Sequence, residues 1–374
     1  MLLALWNVAT VPHSYPELHL SVYLNGLATA VPPHELPQTI VLENARRILG
    51  PRYAQFERMS GTFTTAGVDR RYSVAPIDWF QEPKNWPERN SLYLKGAKDL
   101  FIQAARKGLE CAGLNAGDID TIVTVSSTGI ATPSIEALVW KKMGFRPDVH
   151  RIPVFGLGCA GGVSGLSIAC ALARAKPGTH VLLVVLEACT LSFRSDRLQK
   201  ADIIATVLFG DGAAAAVLST KEESGDLPSV MLEDGQEEIW TDTLAIMGWD
   251  VDETGLGVVF DRSIPVFTEE NLAGATKSAL SRAGYERSDI DRFVCHPGGA
   301  KVVDAIETAL DLEPESLDAE RSVLRDYGNM SAPTVLFVLH RIIEQKRTGK
   351  MMLCALGPGF SASFLPLQIG AANA

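Results

Sequence analysis

Three stretches far apart in the chain each set a chemically capable side chain among glycines. They are Gly156-Leu157-Gly158-Cys159-Ala160-Gly161-Gly162, Cys295-His296-Pro297-Gly298-Gly299 and Tyr327-Gly328-Asn329-Met330-Ser331. A thiol, an imidazole and a carboxamide framed in this way point to thioester chemistry. A thiol becomes a useful nucleophile near neutral pH when its anion is stabilised by a cationic imidazole or by a helix N-terminus. Cys159 is expected to have both. Arg151-Ile152-Pro153-Val154-Phe155 reads as a short buried strand, and Val163 to Lys176 carries no charge before Arg174. A strand, a tight turn and a buried helix are therefore predicted. Ala160, Gly161 and Gly162 are small enough to let a substrate carbonyl approach the N–H groups that open the helix. Cys111, Cys170, Cys189, Cys295 and Cys354 have no comparable frame and read as small core hydrophobes.

His296 follows the apolar run Phe293-Val294-Cys295 and precedes a Pro-Gly-Gly turn, which places it at the end of a strand, where α/β folds hold reactive side chains. His13, His19, His34, His150, His180 and His340 have no such setting. Asn329 supplies an amide, which donates a hydrogen bond without titrating and suits a developing oxyanion or enolate.

The elements that must hold these groups come from an internal repeat. Ala112-Gly113-Leu114 through Asp118-Ile119-Asp120 and on to Val123 lies over Ala283-Gly284-Tyr285 through Asp289-Ile290-Asp291 and on to Val294. The same offset lays Asn329 over the Gly158-Cys159 turn, so each half would present a functional residue at the start of a central helix. A second echo sets Leu208-Phe209-Gly210-Asp211-Gly212 against Leu356-Gly357-Pro358-Gly359-Phe360, both read as glycine turns between strands.

The composition, 374 residues with 47% hydrophobic and 21% charged, fits an ordinary globular protein of two packed halves. We place an N-terminal extension at 1–19, the nucleophile half at 20–225 and the His and Asn half at 226–374. Runs such as Val181 to Leu186 are too short to span a bilayer and suit central strands covered on both faces. Met1 to Val11 is apolar but lacks a basic start, so a cytoplasmic protein without integral membrane contact is expected. Six cysteines without paired or metal-ligand spacing agree with a reducing compartment and no metal. A net charge of −10 argues against nucleic acid as a partner. It still permits a local basic patch for phosphates, for which Arg58, Arg70 and Arg71 are the candidates.

Together, Cys159 with its trailing glycines, His-Pro-Gly-Gly, Gly-Asn-Met-Ser, Phe-Gly-Asp-Gly-Ala-Ala and the closing Gly-Pro-Gly resemble the chalcone synthase superfamily, the type III polyketide synthases. The resemblance spans about Val22 to Leu367. It implies an α/β thiolase fold, a duplicated αβαβα five-layer sandwich, normally a homodimer. It implies Cys159 as the residue that carries the growing chain, with His296 and Asn329 as its partners. Acyl-CoA and malonyl-CoA would be substrates, with no cofactor. Phe209 resembles the gatekeeper aromatic between the coenzyme A tunnel and the reaction cavity, and Gly357, Pro358 and Gly359 resemble the loop that shapes the cavity wall.

Several positions depart from the plant enzymes. In Gly255 to Phe260, Val258 falls where a second gatekeeper Phe is usual, with Phe260 two residues on. Ser127, Thr128 and Ser192 match small polar residues of the starter pocket, Ser331 stands near them, and Thr132 replaces a Met of the dimer contact. Arg58 is retained for coenzyme A, Gln55 replaces a Lys, and Arg70, Arg71 or Lys301 could substitute. The leading expectation is a bacterial-type synthase that makes alkylpyrones or alkylresorcinols from fatty acyl-CoA. A ketoacyl synthase that initiates fatty-acid synthesis and a catalytically silent acyl-CoA binder are the alternatives.

Overall fold

Two copies of one βαβ motif dominate the computed structural model, which describes residues 20–197 and 199–370. The proposed extension 1–19 lies outside them. The first half begins with β1 (Val22–Ala30), β2 (His34–Pro37), α1 (Gln38–Leu49), α2 (Phe56–Ser60), α3 (Thr62–Thr65) and β3 (Arg70–Ser73). It continues with α4 (Trp86–Cys111), β4 (Thr121–Val125), α5 (Ile135–Met143), β5 (His150–Val154), α6 (Gly161–Ala175), β6 (Val181–Ala188), α7 (Lys200–Leu208) and β7 (Asp211–Ser219). The second half opens with β8 (Val230–Leu232), β9 (Gln236–Ile239), β10 (Met247–Asp252), β11 (Gly255–Phe260) and α8 (Ile264–Ala283). It closes with β12 (Arg292–Cys295), α9 (Ala300–Ala309), α10 (Asp318–Tyr327), α11 (Thr334–Glu344), β13 (Gly349–Gly357) and β14 (Ser361–Ile369).

Strand order explains how the layers form. The ladder runs β12-β13-β14-β8-β1-β7-β6-β4-β5, with β9 added to β14. The halves join where β1 meets β8, through Val22 with Leu232 and Tyr23 with Met231. Alternation then sorts side chains by layer. On β6, Leu182, Val184 and Leu186 pack in the outer core with Leu100, Ala104 and Leu109 of α4. Val181, Leu183 and Val185 face inward, into one cluster with Val163 and Leu166 of α6, Val335 and Leu339 of α11, and Leu353 of β13. On the far side, Phe293, Met352 and Phe364 pack against Leu272 of α8 and Val303 of α9. The result is the expected αβαβα sandwich of the thiolase fold, with α6 and α11 between the two sheet regions. The stretch Gly158–Ala175 is long and apolar enough to cross a membrane, yet it is this central, mostly buried layer.

The repeat is visible at the level of single hydrogen bonds. Asn115 and Glu286 each cap a one-turn helix, their backbone N–H groups donating to Asp118 and Asp289 at 2.8 Å. Asp120 then accepts from the His180 N–H at 2.9 Å, and Asp291 accepts from the Lys350 N–H at 2.8 Å. These carboxylates set the start of the parallel pairs β4–β6 and β12–β13. The second echo is looser than expected. Phe209-Gly210 follows helix α7 rather than a strand, whereas Gly357-Pro358-Gly359 lies at the hairpin between β13 and β14. The segment before the Cys159 turn also differs from its reading. β5 is the sheet's edge, its Arg151 and Pro153 are exposed, and Phe155 beyond it is 59% exposed.

Candidate active site

Cys159 sits in a single helical turn, Gly158–Ala160, that runs directly into α6. The approach requires glycine at position 158, whose φ is +48° and whose Cβ, if present, would lie 2.7 Å from Pro358 Cδ. A Cβ on Gly357 would likewise fall 2.6 Å from Ala160 Cβ, so the Gly357-Pro358 turn is pressed onto the nucleophile turn. Pro358 reaches the reaction cavity, Gly357 backs onto the turn, and Gly359 lies beyond at φ +109°. The N-terminal end of α6 also meets the Asn329 segment, since a Cβ on Gly162 would stand 2.3 Å from the Ala332 carbonyl oxygen.

His296 follows the last residue of β12, and its N–H donates to the Cys354 carbonyl at 2.8 Å, which continues the pairing with β13. Its ring is 4% exposed, and neither nitrogen has a partner. A buried imidazole with two unused nitrogens is poised for a group that the protein does not itself supply. Asn329 is fully buried and fixed at both ends of its amide. Its Nδ2 donates to the Gly298 carbonyl at 3.0 Å, and its Oδ1 accepts from the Ser331 N–H at 2.7 Å. One N–H of that amide remains for a substrate.

A chain of contacts brings the three turns together: Cys159 to the Ser331 side chain, Ser331 to Asn329, and Asn329 to Gly298, two residues past His296. The ionisation differs from the expected thiolate and imidazolium. Burial pushes the Cys159 thiol up to about 11, against the opposing Ser331 hydrogen bond, and burial lowers His296 to about 4. Desolvation thus disfavours the charged forms of both groups, the thiolate and the imidazolium alike.

Cys159 opens onto a cavity of about 300 Å3. Ser127, Thr128, Phe209, Val258, Ser331 and Pro358 all line it. Ser192 does not. Its hydroxyl donates to the Cys189 carbonyl at 2.7 Å, and the residue faces smaller voids behind the wall. The hairpin β10–β11 provides the largest apolar face of the cavity, with Met247, Trp249, Val251, Leu256, Val258 and Val259. It is Phe260, rather than the smaller Val258, that packs edge-on against Phe209, with centroids 6.3 Å apart.

Glu187 is a charged lining residue that sequence reading missed. It is fully buried at the end of β6 and accepts from the Ser127 N–H at 3.0 Å and from the Thr128 hydroxyl at 2.6 Å. Burial still raises its carboxyl to about 7. The only signal was a lone carboxylate in the apolar run Val181 to Ala188.

A second cavity of about 470 Å3 lies on the far side of the last turn of α7, lined there by Val207 and Leu208, and also by Phe260, Gly298 and Gly299. Arg58 and Lys301 both face it, joined by Lys200 and Arg262, which no motif marked. The other candidate arginines are elsewhere. Arg70 lies 3.7 Å from Asp326, and Arg71 is 2% exposed with its guanidinium committed to backbone carbonyls. Alternation along β3 sends one arginine out and its neighbour in, which removes Arg71 from any phosphate.

Comparison with known proteins matches both halves. Residues 81–222 fit the model of the N-terminal domain of chalcone and stilbene synthases, and residues 232–366 fit that of the C-terminal domain. A 1,3,6,8-tetrahydroxynaphthalene synthase of Streptomyces peucetius is 34% identical over 346 residues, covering 91% of each chain. Type III polyketide synthase A of Arabidopsis thaliana is 34% identical over 356 residues and 90% of each chain. The crystal structure of 1,3,6,8-tetrahydroxynaphthalene synthase from Streptomyces coelicolor A3(2) superimposes with a TM-score of 0.87 at 30% identity, covering 94% of this chain and 100% of that one.

Proposed function

The chain belongs to the chalcone and stilbene synthase family and is a type III polyketide synthase, an enzyme of decarboxylative Claisen condensation, and from that premise we propose its substrates and residue roles. It takes a medium- or long-chain fatty acyl group from acyl-CoA onto Cys159, extends it repeatedly with malonyl-CoA and closes the product to an alkylpyrone or alkylresorcinol. The observation that carries this reading is the shape of the Cys159 cavity. The thiol, Glu187, Ser127, Thr128 and Ser331 lie among walls that include Phe155, Met247, Val251, Leu256, Val258 and Val259. Apolar walls with a few placed polar groups suit an acyl chain tethered at its carbonyl.

Loading begins with proton transfer from the neutral Cys159 thiol to a free ring nitrogen of His296. The sulfur attacks the acyl-CoA carbonyl, the bond to coenzyme A sulfur breaks, and the departing thiolate takes the proton back from His296. Malonyl-CoA then binds with its thioester oxygen toward His296 and the unused N–H of Asn329. The bond to the carboxylate breaks, carbon dioxide leaves, and the electron pair remains as an enolate held by those two groups. That enolate attacks the Cys159 thioester and releases the thiolate for another round. Arg58, Lys200, Arg262 and Lys301 would receive the coenzyme A phosphates, since none of the four is paired with a carboxylate among the described residues. A cytoplasmic homodimer is part of the proposal, supported by the exposed edge β5 and by exposed Ile130, Leu138, Trp140 and Phe155.

The test is mass spectrometry of products from labelled malonyl-CoA and acyl-CoA starters from acetyl to palmitoyl. Lactones or resorcinols with two or three labelled units on a long starter are expected. Products made from malonyl-CoA alone, with every fatty acyl starter refused, would overturn the starter assignment.

A further inference from the structure

The last turn of α7 separates the two cavities. Val207 and Leu208 face the basic one, Phe209 faces the Cys159 cavity, and Phe260 borders both. A helix C-terminus leaves carbonyl groups without intrahelical partners. Here they can be followed one by one. The Ala205 carbonyl accepts from the Phe209 N–H at 2.8 Å, and the Leu208 carbonyl accepts from the Asn329 N–H at 2.8 Å. The other three converge on one side chain. Arg71 Nη1 donates to the Thr206 carbonyl at 2.6 Å and to the Phe209 carbonyl at 3.2 Å, and Nη2 donates to the Val207 carbonyl at 2.6 Å. Gln38 Oε1 accepts from the same guanidinium, while Gln38 Nε2 donates to the Val207 carbonyl at 3.1 Å and to the Phe63 carbonyl at 3.2 Å.

We propose that Arg71 is a positioning residue for the partition between the two cavities, holding the backbone of Phe209 in register with Asn329. It touches no substrate. Its reach covers both partners, because Gly210, which donates to the Asn329 carbonyl at 3.0 Å, has no room for a Cβ beside Arg71 Cβ and the Tyr327 carbonyl. A cation at the negative end of a helix is favourable. A planar guanidinium can also divide its donors among several carbonyls, as an ammonium cannot. Burial lowers Arg71 to about 9, so the charge persists at neutral pH. Loss of this grip would free the partition to shift, changing how many units fit before release and letting the enolate meet water. Both effects lie downstream of loading.

This inference rests on the reading of the two cavities as reaction and coenzyme A sites, so its test uses whichever starter the wild-type enzyme accepts. Arg71→Met, Arg71→Lys and Gln38→Met are compared at equal numbers of acylatable Cys159. The measurements are carbon dioxide released per malonyl unit incorporated, the number of units in the product, and KM against kcat for malonyl-CoA. Arg71→Met should raise the uncoupling ratio at least fivefold and redistribute product lengths, with Arg71→Lys intermediate and Gln38→Met smaller in the same direction. Arg89→Met is the control. That arginine is also buried and grips the Leu191 and Phe193 carbonyls instead, so its loss should lower stability without moving the ratio. A wild-type ratio in Arg71→Met would overturn the proposal, as would an equal shift in Arg89→Met. If Arg71→Met does not fold, unchanged ratios in both Arg71→Lys and Gln38→Met would overturn it.

Discussion

The two halves of the molecule repeat a scaffold and divide a chemistry. After β4 and after β12 the chain leaves the sheet at equivalent points, and the opposite end of each strand is fixed by an aspartate, Asp120 or Asp291, that clamps the neighbouring parallel strand. The exits carry different cargo. The first leads to Ser126, Ser127 and Thr128 around the buried carboxyl of Glu187. The second leads to His296 with its two unpartnered nitrogens. The central helices repeat the pattern, with Cys159 before α6 and Asn329 before α11. On the proposed roles, one half holds the acyl group and the other stabilises the enolate, and the condensation needs both.

Substitutions of Cys159 and Asn329 should separate the halves most strongly. Cys159→Ala should abolish chain extension while malonyl-CoA decarboxylation, followed as carbon dioxide release, stays within about tenfold of wild type. Asn329→Ala should instead lower decarboxylation by roughly 10²–10³-fold, the usual effect of removing an oxyanion donor. Equal loss of both activities in both variants would break the division of labour.

Ionisation sharpens the contrast. With Cys159 raised to about 11 and His296 lowered to about 4, iodoacetamide inactivation should accelerate about tenfold per pH unit from 6 to 9. A flat profile over that range would reveal a resting ion pair between the halves.

The matched anchors offer a smaller effect. Asp120→Ala and Asp291→Ala should each destabilise by about 1–3 kcal/mol in chemical denaturation. The former should cost more, because Arg146 also bonds Asp120 at 2.8 Å. The smallest effect concerns Glu187. Its folded value of about 7 lies above the ordinary 4.5, so its contribution to stability is fully present below pH 4.5 and is lost as pH rises through 7. Glu187→Gln should therefore gain melting temperature relative to wild type as pH rises from 4.5 to 7.5, by a few degrees in thermal melts.

The anchors, the three glycine turns and the central apolar helix were legible because each is a local pattern: an Asp-Ile-Asp after Ala-Gly, or a reactive residue between glycines. What was not legible depends on distant partners. Arg71 was a candidate phosphate ligand beside Arg58 and Arg70, yet four-residue β3 is enough for alternation to bury one arginine, and the carbonyls it serves lie about 135 residues away. Local motif also gives no measure of desolvation, which pushes the Cys159 thiol up. Ser192 has the right type for a pocket, but its hydroxyl satisfies a carbonyl three residues back. In the hairpin β10–β11 only Val258 and Phe260 stood out in sequence, so the role of Met247, Trp249 and Val251 in the apolar wall emerges from packing.

That hairpin pairs only with itself. It meets the rest of the cavity through Trp249, whose indole donates to the Ser127 carbonyl at 2.8 Å, and through Asp252, gripped by Arg194. Phe209, by contrast, is bonded into the same backbone bridge as Asn329. Changes on the Phe209 side of the chamber therefore act directly on the backbone of Asn329, whereas the apolar side chains of Met247, Val251, Leu256 and Val259 meet the chamber through packing alone. The hairpin is thus a separable panel of the chamber wall, where a change of side-chain size alters the space offered to a bound chain without rewriting the backbone that carries Asn329.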